Sequence, residues 1–357
     1  MNLSNNVHDS YTKWGNDMAT EREIFFNEMK GEGDGIVRAT AGCRNPTWIK
    51  DRARLDVLNS VSEYVSFGIS DDPGDPPNHE WTDPWGCRWI YPIPTLDGIC
   101  NLHPLADWSA LADYRPPDPE DHVDWKKIEK EFVKTKENGS VASGNTDHGG
   151  FFLRMTYLRG FENFMMDVVD EPPELERLIE IIEGYWFEVV RRWVEIGAEN
   201  IWFGDDLGLQ VALPMSPASW RKFIGPSYER IYDYCRKHDV HVSMHSDGYV
   251  VDIIPDLVNM GVTTLNVQDL VNGLDTLERL AKGRTLINLD IDRQNITVYG
   301  TPEEVDEHIL NCVRTLGSPK GGLTFIWGIY SPTPIENIEA AVHAMAKYST
   351  YWVGRDA

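Results

Sequence analysis

The stretch that decides the fold is VHVSMHSDGYVVDIIPDLVNMGVTTLNVQDLVNGLDTLERLAKGRTLINLDID, residues 240–292. It contains three short runs of aliphatic and β-branched residues, at 240–244, 263–267 and 285–289. Between these runs lie two longer segments with apolar residues at helical spacing, around 253–260 and 274–282. Short apolar strands that alternate with helices are typical of parallel sheets, in which each helix crosses back over the sheet.

The same alternation continues on both sides of this stretch. Further strands are predicted at 200–203 and 323–327, and Ser216-Pro217 begins a helix that extends to Lys237. Two S/T-x-x-E patterns, at 301–304 and 333–336, predict capping boxes at the start of the last two helices. The result is five βα units in a row, which form either a doubly wound sheet or a closed barrel. Because no GxGxxG follows a strand and the strands end in polar residues, we predict an α/β fold of the (β/α)8 TIM barrel type.

The first half of the chain is less regular. Helices are predicted at 20–29, 51–64, 123–136, 161–169 and 173–196, a loop and hairpin at 71–100, and a strand at 140–143. Thr20 and Glu23 form a further capping-box pattern. We therefore predict a single domain over residues 1–357, with an irregular N-terminal elaboration over 1–139 and regular βα units over 140–357.

The composition excludes several classes of function. With 33 basic and 57 acidic side chains, the net charge is −24, which repels nucleic acids and anionic membrane surfaces. No apolar run approaches the roughly 20 residues that span a bilayer, and the polar first 13 residues give no reason to expect a secretory signal. The five cysteines are odd in number and include no CxxC, as expected of reduced thiols. These features predict a cytoplasmic protein that acts on a small molecule.

Acidic and histidine side chains follow the predicted strands. The candidate catalytic residues are Asp205, His245, Asp247 and Asp290. Of the adjacent pair Asp205 and Asp206, only one is expected to face the site, because neighbouring side chains on an extended segment point to opposite sides. Carboxylates beside imidazoles can bind a divalent metal or divide into a general acid and a general base. His245 and Asp247 are therefore a possible metal-binding pair, and hydrogen bonding within the fold is the alternative.

Other polar and aromatic residues near strand ends are candidates for substrate binding. They are Asn145, His148, Arg154, Tyr157, Gln268, Trp327 and Tyr330. Arg154 and Arg159 flank Tyr157, and either guanidinium can hold an anionic group of a substrate. The alternative for one of them is a salt bridge to Glu162 or Asp167. Asp292 either shares a face with Asp290 or serves as a turn residue.

Six stretches between Tyr157 and Trp352 resemble the superfamily of uroporphyrinogen decarboxylase and the corrinoid-dependent methyltransferases. They are YLRGFENFMMDVVDEP (157–172), FGDDLGLQ (203–210), MSPASWRKFIGPSYERI (215–231), HSDGYVVDIIPDLVNMGVTTLNVQ (245–268), GTPEEV (300–305) and SPTPIENIEA (331–340). They cover more than half the chain, in the order and at the spacing of the family. The resemblance implies a (β/α)8 barrel and a homodimer.

The chain departs from both main branches of this superfamily. The decarboxylase carries an arginine-rich RQAGR signature near its N-terminus to bind a porphyrinogen, and nothing in this sequence matches it. Methyltransferases of the zinc type carry His-x-Cys-Gly after one strand and a further Cys near the last strand. Here His245 matches, Asp247 stands in place of the first Cys, and the last-strand position lies near Trp327. Thiolate ligands bind zinc tightly and keep it soft enough to activate a sulfur nucleophile. Both thiolates are absent here, so a metal site of Asp and His ligands is harder and binds zinc more weakly, which disfavours a thiol as methyl acceptor.

The resemblance then implies a methyltransferase or demethylase that acts on a small molecule together with a corrinoid-carrying partner protein. A divalent metal such as zinc is a possible further cofactor. One alternative is a decarboxylase or lyase with a substrate other than uroporphyrinogen, in which Asp205 or Asp247 stabilises a developing cation. The other alternative is a binding protein without catalytic activity.

Overall fold

A computed structural model describes residues 19–43, 50–70, 78–92, 98–121 and 123–356. The polar segment 1–13 discussed above lies outside the described residues. The chain divides into two compact units. The first is built from the described residues of 74–137 and 142–262, and the second from those of 4–73, 138–141 and 263–357. Each unit contains its own parallel strands and the helices that cover them.

Strands and helices alternate along most of the chain. The strands are β1 (Arg38–Cys43), β2 (Val65–Ile69), β3 (His79–Thr82), β4 (Arg88–Tyr91), β5 (Ile99–Leu102), β6 (Ser143–Asn145), β7 (Asn200–Gly204), β8 (His241–Ser246), β9 (Thr264–Gln268), β10 (Leu286–Asp290) and β11 (Leu323–Ile329). The helices are α1 (Glu21–Met29), α2 (Arg52–Leu55), α3 (Trp125–Glu137), α4 (Phe152–Arg159), α5 (Phe161–Asp170), α6 (Pro173–Glu195), α7 (Pro217–Phe223), α8 (Gly225–Lys237), α9 (Ile254–Met260), α10 (Asp269–Asn272), α11 (Leu274–Leu280), α12 (Ile296–Tyr299), α13 (Pro302–Leu316) and α14 (Ile335–Tyr348).

In the first unit, β6, β7 and β8 are neighbours and run parallel. Their register places Asn145 beside Trp202 and Gly204 beside His245, so the three strands end at the same edge. Strands β3, β4 and β5 form a separate antiparallel sheet. The amphipathic helix α6 buries Leu178, Ile182 and other apolar residues of one face.

In the second unit, five parallel strands follow the order β2, β1, β11, β10, β9. Asp290 at the end of β10 pairs in register with Gln268 at the end of β9. The strands are buried along most of their length, as expected of a parallel sheet covered by helices. The predicted α/β class is thus confirmed, and a closed barrel of eight strands stays a prediction.

Local signals in the sequence located most helix starts. The capping boxes of Thr20 with Glu23 and of Thr301 with Glu304 are both formed, and Ser216 caps α7. The capping box predicted at Thr333 is wrong. Helix α14 has Pro334 as its N-cap, and the Thr333 hydroxyl instead donates to the Tyr330 carbonyl oxygen at 2.8 Å.

Several predicted boundaries also differ from the structure. The helix expected over 216–237 is interrupted at Ile224, because Pro226 at the start of α8 has no N–H to continue the hydrogen-bond ladder. The helix expected over 51–64 is reduced to α2 and a 3-10 turn, Asp56–Ser60. Strands β1 and β2 and helix α4 were not predicted.

Among the described residues, the structure offers no helix with the length and apolar character that a membrane crossing needs.

Candidate active site

Three strand ends of the first unit bring His148, Asp206 and His245 together. Asp206 follows β7, His245 lies near the end of β8, and His148 lies in the loop after β6. The Nε2 atom of His148 lies 3.2 Å from Oδ1 of Asp206, and Nε2 of His245 lies 3.7 Å from the same oxygen. The centroids of the two imidazole rings are 5.6 Å apart. We call these three residues the His–Asp–His cluster.

Asp247 completes the polar surroundings of this cluster. Its Oδ1 atom lies 3.8 Å from Nε2 of His245, and its backbone N–H donates to Oδ1 of Asp206 at 3.2 Å. One oxygen atom of Asp206 is therefore the centre of the arrangement. The side chains of Asp206, His245 and Asp247 are partly exposed, and that of His148 is 56% exposed, so a small molecule can reach the cluster.

The charges of the cluster favour a protonated His148 beside an ionised Asp206. The hydrogen bond to Asp206, followed by the charges of nearby aspartates, raises the pKa of His148 to about 9. Burial opposes the charge of Asp206, but the hydrogen bond from His148 and the charges of His148 and His245 outweigh it and lower the pKa of Asp206. At neutral pH the pair therefore holds one transferable proton on the imidazole.

The same three residues are also suited to a divalent metal. The donor atoms of His148, Asp206 and His245 all lie within 4.8 Å of one another. Two imidazole nitrogens and one carboxylate oxygen form the protein ligand set of many catalytic zinc sites, which keep one position open for substrate or water. The sequence indicated His245 and Asp247 as a possible metal-binding pair. The geometry groups His245 with His148 and Asp206, and a role of Asp247 as a metal ligand stays a prediction.

Asp205 points away from the cluster and is 2% exposed. Its carboxylate accepts hydrogen bonds from the backbone N–H groups of Phe152 and Leu153, the first residues of α4, and from the Tyr228 hydroxyl at 2.6 Å. Burial raises the pKa of Asp205 to about 6, although these three donors act in the opposite direction. Only one of the two adjacent aspartates faces the site, as predicted, and it is Asp206.

The Tyr228→Phe substitution is expected to destabilise the protein in a pH-dependent way. Because the pKa of Asp205 is raised in the folded state, its ionisation destabilises the folded protein relative to the unfolded chain. The hydrogen bond from Tyr228 stabilises the ionised carboxylate and offsets part of this destabilisation. We expect a loss of about 1.5–3 kcal/mol at pH 8, where Asp205 is ionised, and a smaller loss at pH 5. Urea unfolding at both pH values measures this difference, and an equal loss at both would contradict the assignment.

The arginines near Tyr157 are both engaged in buried ion pairs. Arg159 Nε lies 2.6 Å from Oδ2 of Asp167, which confirms the salt bridge predicted for one of the two arginines. Arg154 was the candidate for substrate binding, but its side chain is 3% exposed and its NH1 atom lies 2.7 Å from Oδ2 of Asp83. In this arrangement Arg154 fixes α4 to the turn that follows β3.

Two further substrate-binding candidates lie in the first unit. The Tyr157 ring packs edge-on against Trp89 at 4.7 Å, and burial together with the charges of Asp205 and Asp206 raises the pKa of its hydroxyl. The side-chain oxygen of Asn145 is buried and has no hydrogen-bond partner among the described residues. Such an atom is suited to accept a hydrogen bond from a ligand.

The remaining candidates lie in the second unit. Asp290 is buried and forms an ion pair with Arg293 at 3.0 Å, while Gln268 lies beside it at the end of β9. Trp327 is 1% exposed and packs in the core, and Tyr330 lies beneath the Arg293 guanidinium at 5.8 Å. Their catalytic or binding roles stay predictions.

A second polar cluster in this unit escaped the sequence analysis. Asp269, His308 and Cys312 are all buried, and Oδ2 of Asp269 lies 2.7 Å from Nε2 of His308. The same oxygen accepts the backbone N–H of Asp292 at 3.1 Å. The carboxylate of Asp292 in turn accepts the N–H groups of Asn295 and neighbouring residues, which confirms its alternative role as a turn residue.

Comparison with known proteins agrees with the resemblance seen in the sequence. The family model for uroporphyrinogen decarboxylase (URO-D) matches residues 102–348. The chain belongs to the uroporphyrinogen decarboxylase family. A curated member, the uroporphyrinogen decarboxylase of Synechococcus sp. (strain CC9605), is 26% identical over 179 residues. This match covers 50% of our chain and 49% of the relative, so the chain spans about half the length of that relative.

Among solved structures, the chain is similar to a methyltransferase from Methanosarcina mazei. The TM-score is 0.59 at 16% sequence identity, and the match covers 93% of our chain and 99% of the methyltransferase. At this level of identity the likeness shows a shared fold. This member of the URO-D family therefore shares its fold with that one structure, and its His–Asp–His cluster lies at the strand ends.

Proposed function

We propose that this member of the URO-D family is an enzyme that transfers a methyl group between a small molecule and a corrinoid carried by a partner protein. The observation that carries the proposal is the His–Asp–His cluster, which combines partial exposure with a proton held on His148 next to an ionised Asp206. The family match and the fold shared with a methyltransferase support the choice of reaction class.

Methyl transfer from oxygen or nitrogen leaves an electron pair on the atom that loses the methyl group. That atom needs a proton, and a positioned imidazolium is suited to supply it. When His148 is protonated, its Nε2–H is directed at Asp206, and we assign the second ring proton, on Nδ1, to the substrate. After this proton leaves, Asp206 holds the neutral ring in one tautomer. The corrinoid of the partner protein supplies the nucleophile that takes up the methyl carbon.

A divalent cation is a second possible occupant of the cluster. It would polarise the same substrate atom as a Lewis acid and would require a neutral His148. Protein purified without a metal-affinity column and analysed for zinc, iron and manganese distinguishes the two states. If a metal is present, we expect about one equivalent, which is lost in His245→Ala and retained in His238→Ala, a substitution on the exposed end of α8.

The proposed reaction is tested with cob(I)alamin and methylcob(III)alamin as corrinoid substrates. Methylated ethers, amines and pterins serve as donors, and their demethylated forms serve as acceptors. We expect at least one class to change the absorption spectrum of the corrinoid, and His245→Ala to slow this change by about 100-fold or more. His238→Ala is the matched control and is expected to leave the rate unchanged. No spectral change with any class would contradict the proposal, and release of carbon dioxide from a carboxylated substrate would favour a decarboxylase.

A further inference from the structure

The antiparallel sheet of the first unit brings two cysteines to a single backbone oxygen. Cys87 directly precedes β4, and Cys100 lies on β5, opposite Trp89 of β4. The thiol of Cys87 donates to the carbonyl oxygen of Tyr157 at 3.4 Å, and that of Cys100 contacts the same oxygen at 3.6 Å. The Cys100 thiol also lies 3.5 Å from the carbonyl oxygen of Leu102. This pair is separate from the His–Asp–His cluster.

A third donor competes for this oxygen. Nδ1 of His103 lies 2.8 Å from the Tyr157 carbonyl oxygen and 3.6 Å from Sγ of Cys100. A carbonyl oxygen has two lone pairs, so three donors cannot all be satisfied there. Since Cys87 and His103 make the shorter contacts, Cys100 can lose its proton without leaving the oxygen unbonded.

The two thiols differ in exposure and in acidity. Cys87 is fully buried, whereas Cys100 is partly exposed. Contact with the neighbouring Cys87 thiol, followed by the charge of His103, lowers the pKa of Cys100 to about 7, whereas that contact and burial raise the pKa of Cys87. An accessible thiolate beside a protonated, buried thiol is the arrangement of an attacking and a resolving cysteine.

We propose that Cys87 and Cys100 form a reversible disulfide, with Cys100 as the attacking thiolate. A low-molecular-weight disulfide is the oxidant. The Cys100 thiolate attacks one sulfur of this compound, a Cys100 mixed disulfide forms, and the first thiolate leaves. Cys87 then gives its proton to solvent and attacks the Cys100 sulfur, and the second thiolate leaves. The two protein thiols are oxidised, and the small disulfide is reduced to two thiols.

Disulfide formation changes the surroundings of Tyr157. Both thiol hydrogens are lost, so of the three contacts to the Tyr157 carbonyl oxygen named above the bond from His103 remains. Tyr157 belongs to α4, whose first N–H groups are held by Asp205 next to the site. Oxidation of the cysteine pair therefore changes the hydrogen bonding of α4, the helix whose N-terminus Asp205 holds.

Peptide mapping of the oxidised full-length protein tests this inference without reference to any enzymatic activity. The protein is incubated with oxidised glutathione at pH 7.5, alkylated and digested with trypsin. Cleavage after Arg88 separates the two cysteines into the peptides 55–88 and 89–126. We expect these peptides to be joined by a disulfide, with the loss of two alkylatable thiols and two hydrogen masses, and to separate again on reduction.

Variants identify the order of the steps. Cys87→Ser is expected to accumulate glutathione on residue 100, because the resolving thiol is missing, and Cys100→Ser is expected to leave Cys87 reduced. Cys43→Ser, which changes a buried cysteine on β1, is the matched control and retains the linkage. A wild-type protein in which both thiols remain alkylatable, or in which oxidation links other cysteines, would overturn the proposal.

Discussion

Asp206→Asn is expected to lower the pKa of His148 from about 9 to the ordinary value of a histidine, about 6.5. The hydrogen bond and charge of Asp206 are the main causes of the raised pKa, and an amide keeps the shape of the side chain but loses the charge. If a protonated His148 is the acid, the wild type keeps its activity up to about pH 9. In the variant, activity falls above about pH 6.5. At pH 8 the smaller protonated fraction of His148 alone lowers the reaction rate by about 30-fold relative to the wild type.

Two measurements separate this effect from a structural one. NMR titration of the His148 ring gives its pKa directly and requires no substrate, and the pH profile of the corrinoid reaction shows whether the activity follows the same value. Asp233→Asn, which changes a partly exposed aspartate of α8 paired with Arg236 and Lys237, is the control and is expected to change neither. An unchanged His148 pKa in Asp206→Asn would refute the electrostatic account of the cluster. A lower pKa with an unchanged pH profile would remove His148 from the proposed acid role.

The strand ends that carry polar residues could be predicted from the sequence, because apolar runs followed by Asp, His or Asn are visible without a structure. It did not distinguish Asp205 from Asp206. Both follow the same strand, and their roles depend on whether the side chain points to α4 or to the neighbouring strand ends. Asp205 accepts hydrogen bonds from Phe152 and Tyr228, which are distant from it in sequence. Helix α4, which contains Phe152, gave no clear helical signal in the sequence.

The role of Arg154 shows a similar limit. Its position beside Tyr157, at the start of the family motif, favoured a substrate-binding role, and its partner Asp83 lies 71 residues earlier in the chain. No local pattern predicts such a pairing. By contrast, the Arg159–Asp167 pair spans 8 residues and could be predicted from the spacing.

Asp83→Ala, in the turn that follows β3, is expected to cause a large loss of stability. The Asp83 carboxylate accepts hydrogen bonds from the backbone N–H groups of Trp85 and Cys87, from the Trp89 indole at 3.1 Å, and from the Arg154 guanidinium at 2.7 Å. Its side chain is 0% exposed. Removal leaves a buried cation and three donors without an acceptor, so we expect a loss of about 3–5 kcal/mol in the free energy of unfolding.

Comparison with an exposed ion pair and with a double substitution shows whether the buried charge is the cause. Asp256→Ala breaks the exposed pair with Arg221 and is expected to cost less than about 1 kcal/mol. Asp83→Leu combined with Arg154→Met removes both charges, and we expect it to recover part of the loss of Asp83→Ala, because no unpaired cation remains. Urea unfolding curves of the four proteins give these differences. If the double variant is as unstable as Asp83→Ala, the lost backbone and indole hydrogen bonds dominate, and Asp83 acts mainly as the organiser of the turn that carries Cys87.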